Sequence, residues 1–400
     1  MSADAFQQDS IPRSGERQHI IASIRGARRG PSLIVVGGIH GNEPAGVLAC
    51  RRVAHSLKGK ESGISGDIHL FVGNTRACER GARYLEDDLN RRWQPSRVAA
   101  LTSGKLPDTM LSEDFEVEEL CTCLRHALET ARGEVFFLDL HTTSAHGAPF
   151  ATVGDTLRNR TFARNFPITK VLGLEEQIDG SLLEFMNNLG VVTMGFEAGQ
   201  HEAELSADYH ETVVWIALVA SGVLDRTEAP ELAQRCASLE HAGGGVRVVE
   251  VRYRHSITEA DCFKMEPGFE NFSPVQRGQL LARDRQGPVS ASESGMILMP
   301  LYQALGSDGF FLAREVNPFW LRISEMLRRL RVGNYIHMLP GVRRDRVDRD
   351  LLFVNTHVAR FLPMQVFHLL GFRKQQQDGE LLTVSRRRYD LNGPLKHTIS

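Results

Sequence analysis

Leu33-Ile34-Val35-Val36-Gly37-Gly38-Ile39-His40-Gly41-Asn42-Glu43-Pro44 passes from an unbroken apolar run, through two glycines, to an imidazole and a carboxylate three residues apart. A short, wholly apolar run suits a strand buried on both faces, and glycines permit a sharp exit from it. Pro44 suits the first turn of a following helix, where its missing N–H satisfies no helical bond anyway. The stretch reads as strand, loop, helix, with His40 and Glu43 presented past the strand's carboxyl end. Ligands collect there in open α/β sheets.

Similar runs recur outward from this point. Ser32–Val36, Asp67–Gly73, Val135–Leu140, Ala148–Val153, Lys170–Leu172 and Val191–Phe196 are short, apolar and bounded by glycine or polar residues. Helical patterns lie between them. In Phe115–Ala131 the apolar residues fall at steps of three and four, with Ser112 or Asp114 available as a cap, and Ser206 to Leu218 forms another. The expected fold is α/β, an open mixed, mostly parallel sheet flanked by helices. After about Leu224 the texture changes to short strands and closely spaced glycines, at Val246–Tyr253, Gln279–Ala282, Gly295–Leu298 and Gly309–Leu312. This predicts a β-rich second domain over 229–335, after a first domain of 1–228. A C-terminal extension of 336–400 follows. In it Arg343–Asp350 reads as a solvated charged face and Phe372–Thr383 as two short strands about a turn.

Composition narrows the function. The chain has 400 residues, 42% hydrophobic and 24% charged, with a formal net charge of −2. That balance leaves no electrostatic footprint for nucleic acid or an anionic membrane. The six cysteines are scattered without a CxxC pair, as expected of reduced thiols. The polar N-terminus has no apolar signal region, and no apolar run is long enough to span a bilayer. A soluble cytoplasmic protein is expected.

His40 and Glu43 are the residue types that hold a zinc ion, at about 2.0–2.2 Å, and a catalytic zinc needs a third protein ligand with one position left for water. His141 is the best candidate, because it too leaves the end of a buried strand, Val135–Leu140. Asp139, two residues earlier, points to the same side and can orient an imidazole. A His-x-x-Glu alone discriminates poorly. Two such strand ends in one chain, one inside Gly-Gly-x-His-Gly, make a metal site the better reading. Glu197 ends a third apolar strand, where a carboxylate beside a metal-bound water can act as general base and then acid. The segment from Asn74 to Arg92 contains Arg83-Tyr84 and Asp88-Leu89-Asn90-Arg91. Arginines there can grip a carboxylate or steady an oxyanion.

Together His40-Gly41-Asn42-Glu43, Arg83-Tyr84, Asp88 to Arg91, Asp139-Leu140-His141-Thr142 and Glu197-Ala198-Gly199 resemble the succinylglutamate desuccinylase/aspartoacylase family of zinc-carboxypeptidase-like hydrolases. The resemblance covers roughly residues 30–200. It implies one Zn²⁺ held by His40, Glu43 and His141, Glu197 as general base, and Arg83 on the oxyanion. Asn90 and Arg91 would hold the carboxylate of a small N-acyl amino acid, whose amide is hydrolysed; a homo-oligomer is left open. The chain departs from aspartoacylases in two places. Ser181–Asn188 contains no arginine, with Asn187 nearest the expected place, and Gly309-Phe310-Phe311 stands where a tyrosine pair is expected. Both departures argue against N-acetylaspartate. The competing readings are a metallocarboxypeptidase-like peptidase and a non-catalytic metal-binding regulatory protein on the same fold. No P-loop or GxSxG nucleophile elbow is present.

Overall fold

The computed structural model describes residues 19–104, 109–355, 358, 364–378 and 381–399. Its centre is one sheet of 11 strands. The first eight strands in chain order are β1 (Ile20–Arg25), β2 (Arg28–Gly37), β3 (Ser65–Val72), β4 (Val135–Thr143), β5 (Phe150–Val153), β6 (Thr169–Leu172), β7 (Val192–Gln200) and β8 (Val248–Ser256). In space they lie in the order β1-β3-β2-β4-β7-β5-β6-β8. Asp308–Glu315, Gly295–Leu298 and Pro274–Val275 then extend the sheet beyond β8. β3, β2, β4 and β7 are mutually parallel, as are β5, β6 and β8, while β5 meets β7 antiparallel.

All six strands expected between residues 32 and 196 are present, and the sheet is the mixed, mostly parallel one anticipated. Its core explains the unbroken apolar runs. Leu33 and Val35 pack into the cluster on one face, Ile34 and Val36 into the cluster on the other. β4 does the same, with Phe136, Leu138 and Leu140 on one side and Val135 and Phe137 on the other. Helices Pro44–Leu57 and Ser206–Ala220 cover the first face, and Ser112–Thr130 and Leu182–Asn188 the second. Each fully buried aliphatic side chain contributes roughly 1.5–3 kcal/mol.

Some details differ from expectation. β4 and β7 run three and four residues past Leu140 and Phe196, because their backbones stay paired out to Thr143 and Gln200. The antiparallel edge strand β1 lies upstream of the expected run. The long helix begins at Ser112, and neither Ser112 nor Asp114 is its cap. Leu111 holds that position, and Asp114 reaches back from the first turn to accept the Leu111 N–H at 3.0 Å.

The segment expected to be β-rich has a three-stranded sheet besides its share of the central one, and helices Leu232–Ala242 and Pro318–Arg329 stand at its two ends. Beyond it, Val342–Arg344, Leu351–Asn355, Leu381–Arg386 and Phe372–Asp378 make a separate four-stranded sheet with its own apolar cluster. The two strands anticipated near Phe372–Thr383 are therefore present; residues 379–380 of their turn lie outside the described residues. Arg346 to Arg349 is an exposed turn. All six cysteines are free. Among the described residues no helix is long and apolar enough to cross a membrane.

Candidate active site

β2, β4 and β7 are neighbours and parallel, so their carboxyl ends line up along one edge. His40 follows β2, while His141 and Glu197 sit opposite each other in the β4–β7 register. The turn carrying His40 is tight for a steric reason. Gly38 has φ +74°, and a Cβ on Gly41 would fall 2.1 Å from the Ala77 carbonyl carbon. The helix Pro44–Leu57 then starts with Pro44 at its first position, as the sequence predicts.

These constraints bring three side chains together. Glu43 Oε1 lies 2.8 Å from His40 Nδ1. Its Oε2 lies 3.3 Å from His141 Nδ1 and accepts the Thr142 N–H at 2.8 Å. One ligand atom from each of His40, Glu43 and His141 falls within 4.8 Å of the others, and all three residues are buried. Both Nδ1 atoms converge on one carboxylate while His141 Nε2 is taken by Asp139 Oδ2 at 3.0 Å. His40 Nε2 likewise has Asp88 Oδ1 at 3.3 Å. Two imidazoles and a carboxylate, with an orienting acid behind each imidazole, are a donor set that suits a divalent ion such as zinc. Burial pushes the Glu43 carboxyl up, but the two imidazoles outweigh it and hold it well below the usual range. His141 is likewise pushed down by burial and held well above its ordinary value by Asp139 and Glu43. A second group, His19, Glu116 and Glu119, is also close enough to hold an ion. There Arg76 already binds both carboxylates.

Arg83 lies over the first cluster. Its Nη2 is 2.9 Å from His40 Nε2 and donates to Asp88 Oδ2 at 3.2 Å, and its Nη1 is 3.6 Å from Glu43 Oε1. Asp88 caps the short turn Leu89–Arg91 by accepting the Asn90 N–H at 2.9 Å. Glu197 Oε2 is buried and has no hydrogen-bond partner among the described residues. Burial pushes its carboxyl up to about 8; His141 opposes this, and Glu43 and Asp139 reinforce it.

A cleft of about 930 Å³ opens in front of these groups, and His40, Arg83, Asn90, Arg91, His141 and Glu197 all line it. Asn90 and Arg91 are engaged there. Asn90 Oδ1 accepts the Leu182 N–H at 3.0 Å, and Arg91 Nη2 donates to Asp308 Oδ2 at 2.8 Å. Arg254 donates to the other oxygen of Asp308. Asn187 binds Thr193 Oγ1 at 2.8 Å instead of lining the cleft, and Phe311 lines it where the resemblance implies a phenol.

Sequence reasoning passed over four lining residues, Glu175, His201, Gln303 and Asp308. His201 Nδ1 is 2.7 Å from Thr142 Oγ1 and its Nε2 is 3.1 Å from Gln303 Oε1. Its place four residues after Glu197 was the available signal. Glu175 and Asp308 stand in no motif.

The succinylglutamate desuccinylase/aspartoacylase catalytic-domain model matches residues 29–220. The succinylglutamate desuccinylase of Pseudomonas fluorescens (strain SBW25) is 40% identical over 113 residues, which are 28% of this chain and 31% of that protein. The chain spans about a third of the length of the desuccinylases it matches, 33%, 31% and 33%. Two crystal structures share the fold. A succinylglutamate desuccinylase/aspartoacylase from Rhodobacter sphaeroides superposes with TM-score 0.53 at 16% identity, covering 74% of this chain and 88% of that one. The succinylglutamate desuccinylase from Vibrio parahaemolyticus gives 0.54 at 16% identity, covering 74% and 86%.

Proposed function

Because residues 29–220 belong to the succinylglutamate desuccinylase/aspartoacylase catalytic-domain family, we propose that the protein is a zinc-dependent amidohydrolase acting on small N-acyl amino acids. The observation that carries this reading is the meeting of two Nδ1 atoms on the Glu43 carboxylate, with Glu197 beside them on the next strand. Zinc held by His40, Glu43 and His141 would supply Lewis acidity and lower the pKa of a bound water towards about 7.

The chain's own groups do the rest. Glu197, with a buried oxygen that has no partner among the described residues, accepts a proton from the attacking water and returns it to the departing amine. Arg83 stabilises the charge that develops on the amide oxygen. Asn90 and Arg91 hold the amino acid's carboxylate, with Arg91 turning from Asp308 or sharing it. Asp139 fixes the orientation of His141.

The test is a panel of acetyl-, succinyl- and longer-chain acyl amino acids beside a panel of peptides. It is run with metal content measured before and after chelation. Hydrolysis of acyl amino acids that stops on chelation and returns with zinc is expected. Glu197→Gln should keep the metal and the fold and lose on the order of 10²–10⁴ in rate. Release of C-terminal residues from peptides would favour the peptidase reading. Full activity in Glu197→Gln would remove the proposed base.

A further inference from the structure

Helix Pro318–Arg329 is packed inside out. Phe319, Ile323, Met326 and Leu330 recur at steps of four, three and four, so they share one face of the helix and its end. An amphipathic helix ordinarily buries such a stripe. Here the opposite, polar side is the buried one. Ser324 donates to the Leu369 carbonyl at 2.8 Å, Arg328 binds Asp155 and Asp390 at 2.9 Å each, and Glu325 pairs with Arg164. Of the helix's apolar residues, only Leu321 and Leu327 lean on apolar clusters.

The stripe is left in water. Phe319, Trp320, Met326 and Leu330, with Tyr335 and Met338 just beyond them, are each between 49% and 75% exposed. The turn Val332–Asn334 packs on the helix, and Ile336–Met338 packs on that turn, which keeps these side chains on neighbouring surface. At about 200 Å² for a large side chain, the six expose roughly 700 Å². That exceeds the largest apolar patch of an ordinary monomer, about 300–600 Å². It comes close to the ~800 Å² that each partner gives to a standard interface.

The stripe also fits itself. In an antiparallel pair about a two-fold axis, Phe319 lies opposite the partner's Leu330, and Ile323 opposite the partner's Met326. Apolar then meets apolar along the whole length. An anionic lipid surface fits less well, because it asks for a cluster of about four to eight basic residues. Arg328 is engaged by buried acids and Arg329 donates to Glu325 at 2.9 Å. That leaves Arg322 and Arg331 as the unpaired guanidiniums of this segment among the described residues.

We propose that this face joins two copies of the chain, the two Pro318–Arg329 helices pairing antiparallel to form a dimer. None of its residues lines the cleft, so the proposal is independent of the deacylase reading.

The chain carries its own reporter of this contact. Of its three tryptophans, Trp93 and Trp215 are buried and Trp320 is 52% exposed, so iodide quenching of the intrinsic fluorescence follows Trp320. The full chain is diluted from about 100 µM to about 0.1 µM, and its mass by sedimentation and its quenching are read at each step. A dimer with a dissociation constant in the micromolar range or below is expected, with Trp320 quenched less in the dimer than in the monomer. Met326→Glu and Leu330→Glu, both at exposed positions, should each weaken the dimer about 30-fold or more and restore the quenching. A chain that is monomeric at about 100 µM overturns the proposal, as does a dimer indifferent to both substitutions or one whose Trp320 stays fully quenchable. A monomer whose Trp320 is shielded by vesicles of phosphatidylserine and phosphatidylcholine, and not by phosphatidylcholine alone, overturns it in favour of lipid. If the substituted proteins do not fold, the wild-type mass and quenching series decides.

Discussion

At the scale of single residues, the geometry turns on which atom each group presents. His141 offers Nδ1 to Glu43 because Asp139 occupies Nε2 at 3.0 Å. Asp139→Asn keeps the shape and removes the charge that fixes the ring, so zinc affinity should fall about 10- to 100-fold. Competition with a chromophoric chelator measures this, and unchanged affinity would mean that Asp139 does not orient the ligand. The triad itself was legible in the sequence, since His40, Glu43 and His141 all stand at the ends of unbroken apolar runs. The partners were not. Arg91 reads as a free guanidinium until Asp308 is found 217 positions away. Glu175 is paired with Arg387, which no local pattern links to it.

At the scale of elements, a helix start holds the loop that carries Arg83 and Asp88. Glu113, in the first turn of Ser112–Thr130, is fully buried. Its Oε1 accepts the Leu85 N–H at 2.7 Å, and its Oε2 accepts those of Glu86 and Asp87 at 3.2 and 3.3 Å. One carboxylate thus satisfies three consecutive backbone donors. Glu113→Ala should cost on the order of 3 kcal/mol by chemical denaturation, since charge-assisted bonds contribute about 1.5–3 kcal/mol and the stranded donors add to the loss. The proposed hydrolysis should also drop, because Arg83 loses its platform. Stability within 0.5 kcal/mol of wild type would show the loop to be held by something else, that threshold being roughly the scatter of neutral surface substitutions. Strands and long helices were readable from hydrophobic periodicity because burial on one or two faces writes it. This loop was not, because side-chain caps from a distant helix leave no periodic trace.

At the scale of the whole molecule, the C-terminal sheet has its own apolar cluster, and an ionic cluster also ties it to the rest of the chain. Asp155, just after β5, is completely buried and bonds guanidiniums from three segments. Arg160 Nη2 and Arg328 Nη1 each donate at 2.9 Å, and Arg373 Nε completes the set. Arg328 also binds Asp390 at 2.9 Å, and Arg373 also binds Glu250 on β8. A cluster of this kind carries no hydrophobic signature, so the placement of the extension could not be read from sequence. Removing the central charge leaves three buried guanidiniums around a neutral amide. Asp155→Asn should therefore destabilise the protein by about 3–5 kcal/mol. The pH dependence sharpens the test. Burial works to raise the Asp155 carboxyl, but Arg160, Arg373 and Arg328 hold it well below its ordinary value. A group with a depressed folded pKa stabilises above its unfolded value, about 3.9 for an aspartate, and loses that contribution as pH falls through the folded one. The difference between wild type and Asp155→Asn should thus be flat from pH 5 to 8 and shrink only in stronger acid. Urea melts at several pH values, followed by tryptophan fluorescence and by far-ultraviolet circular dichroism, supply the measurement. A difference that vanishes by pH 5, or equal midpoints throughout, would mean that apolar contacts and not this carboxylate join the C-terminal sheet to the central one.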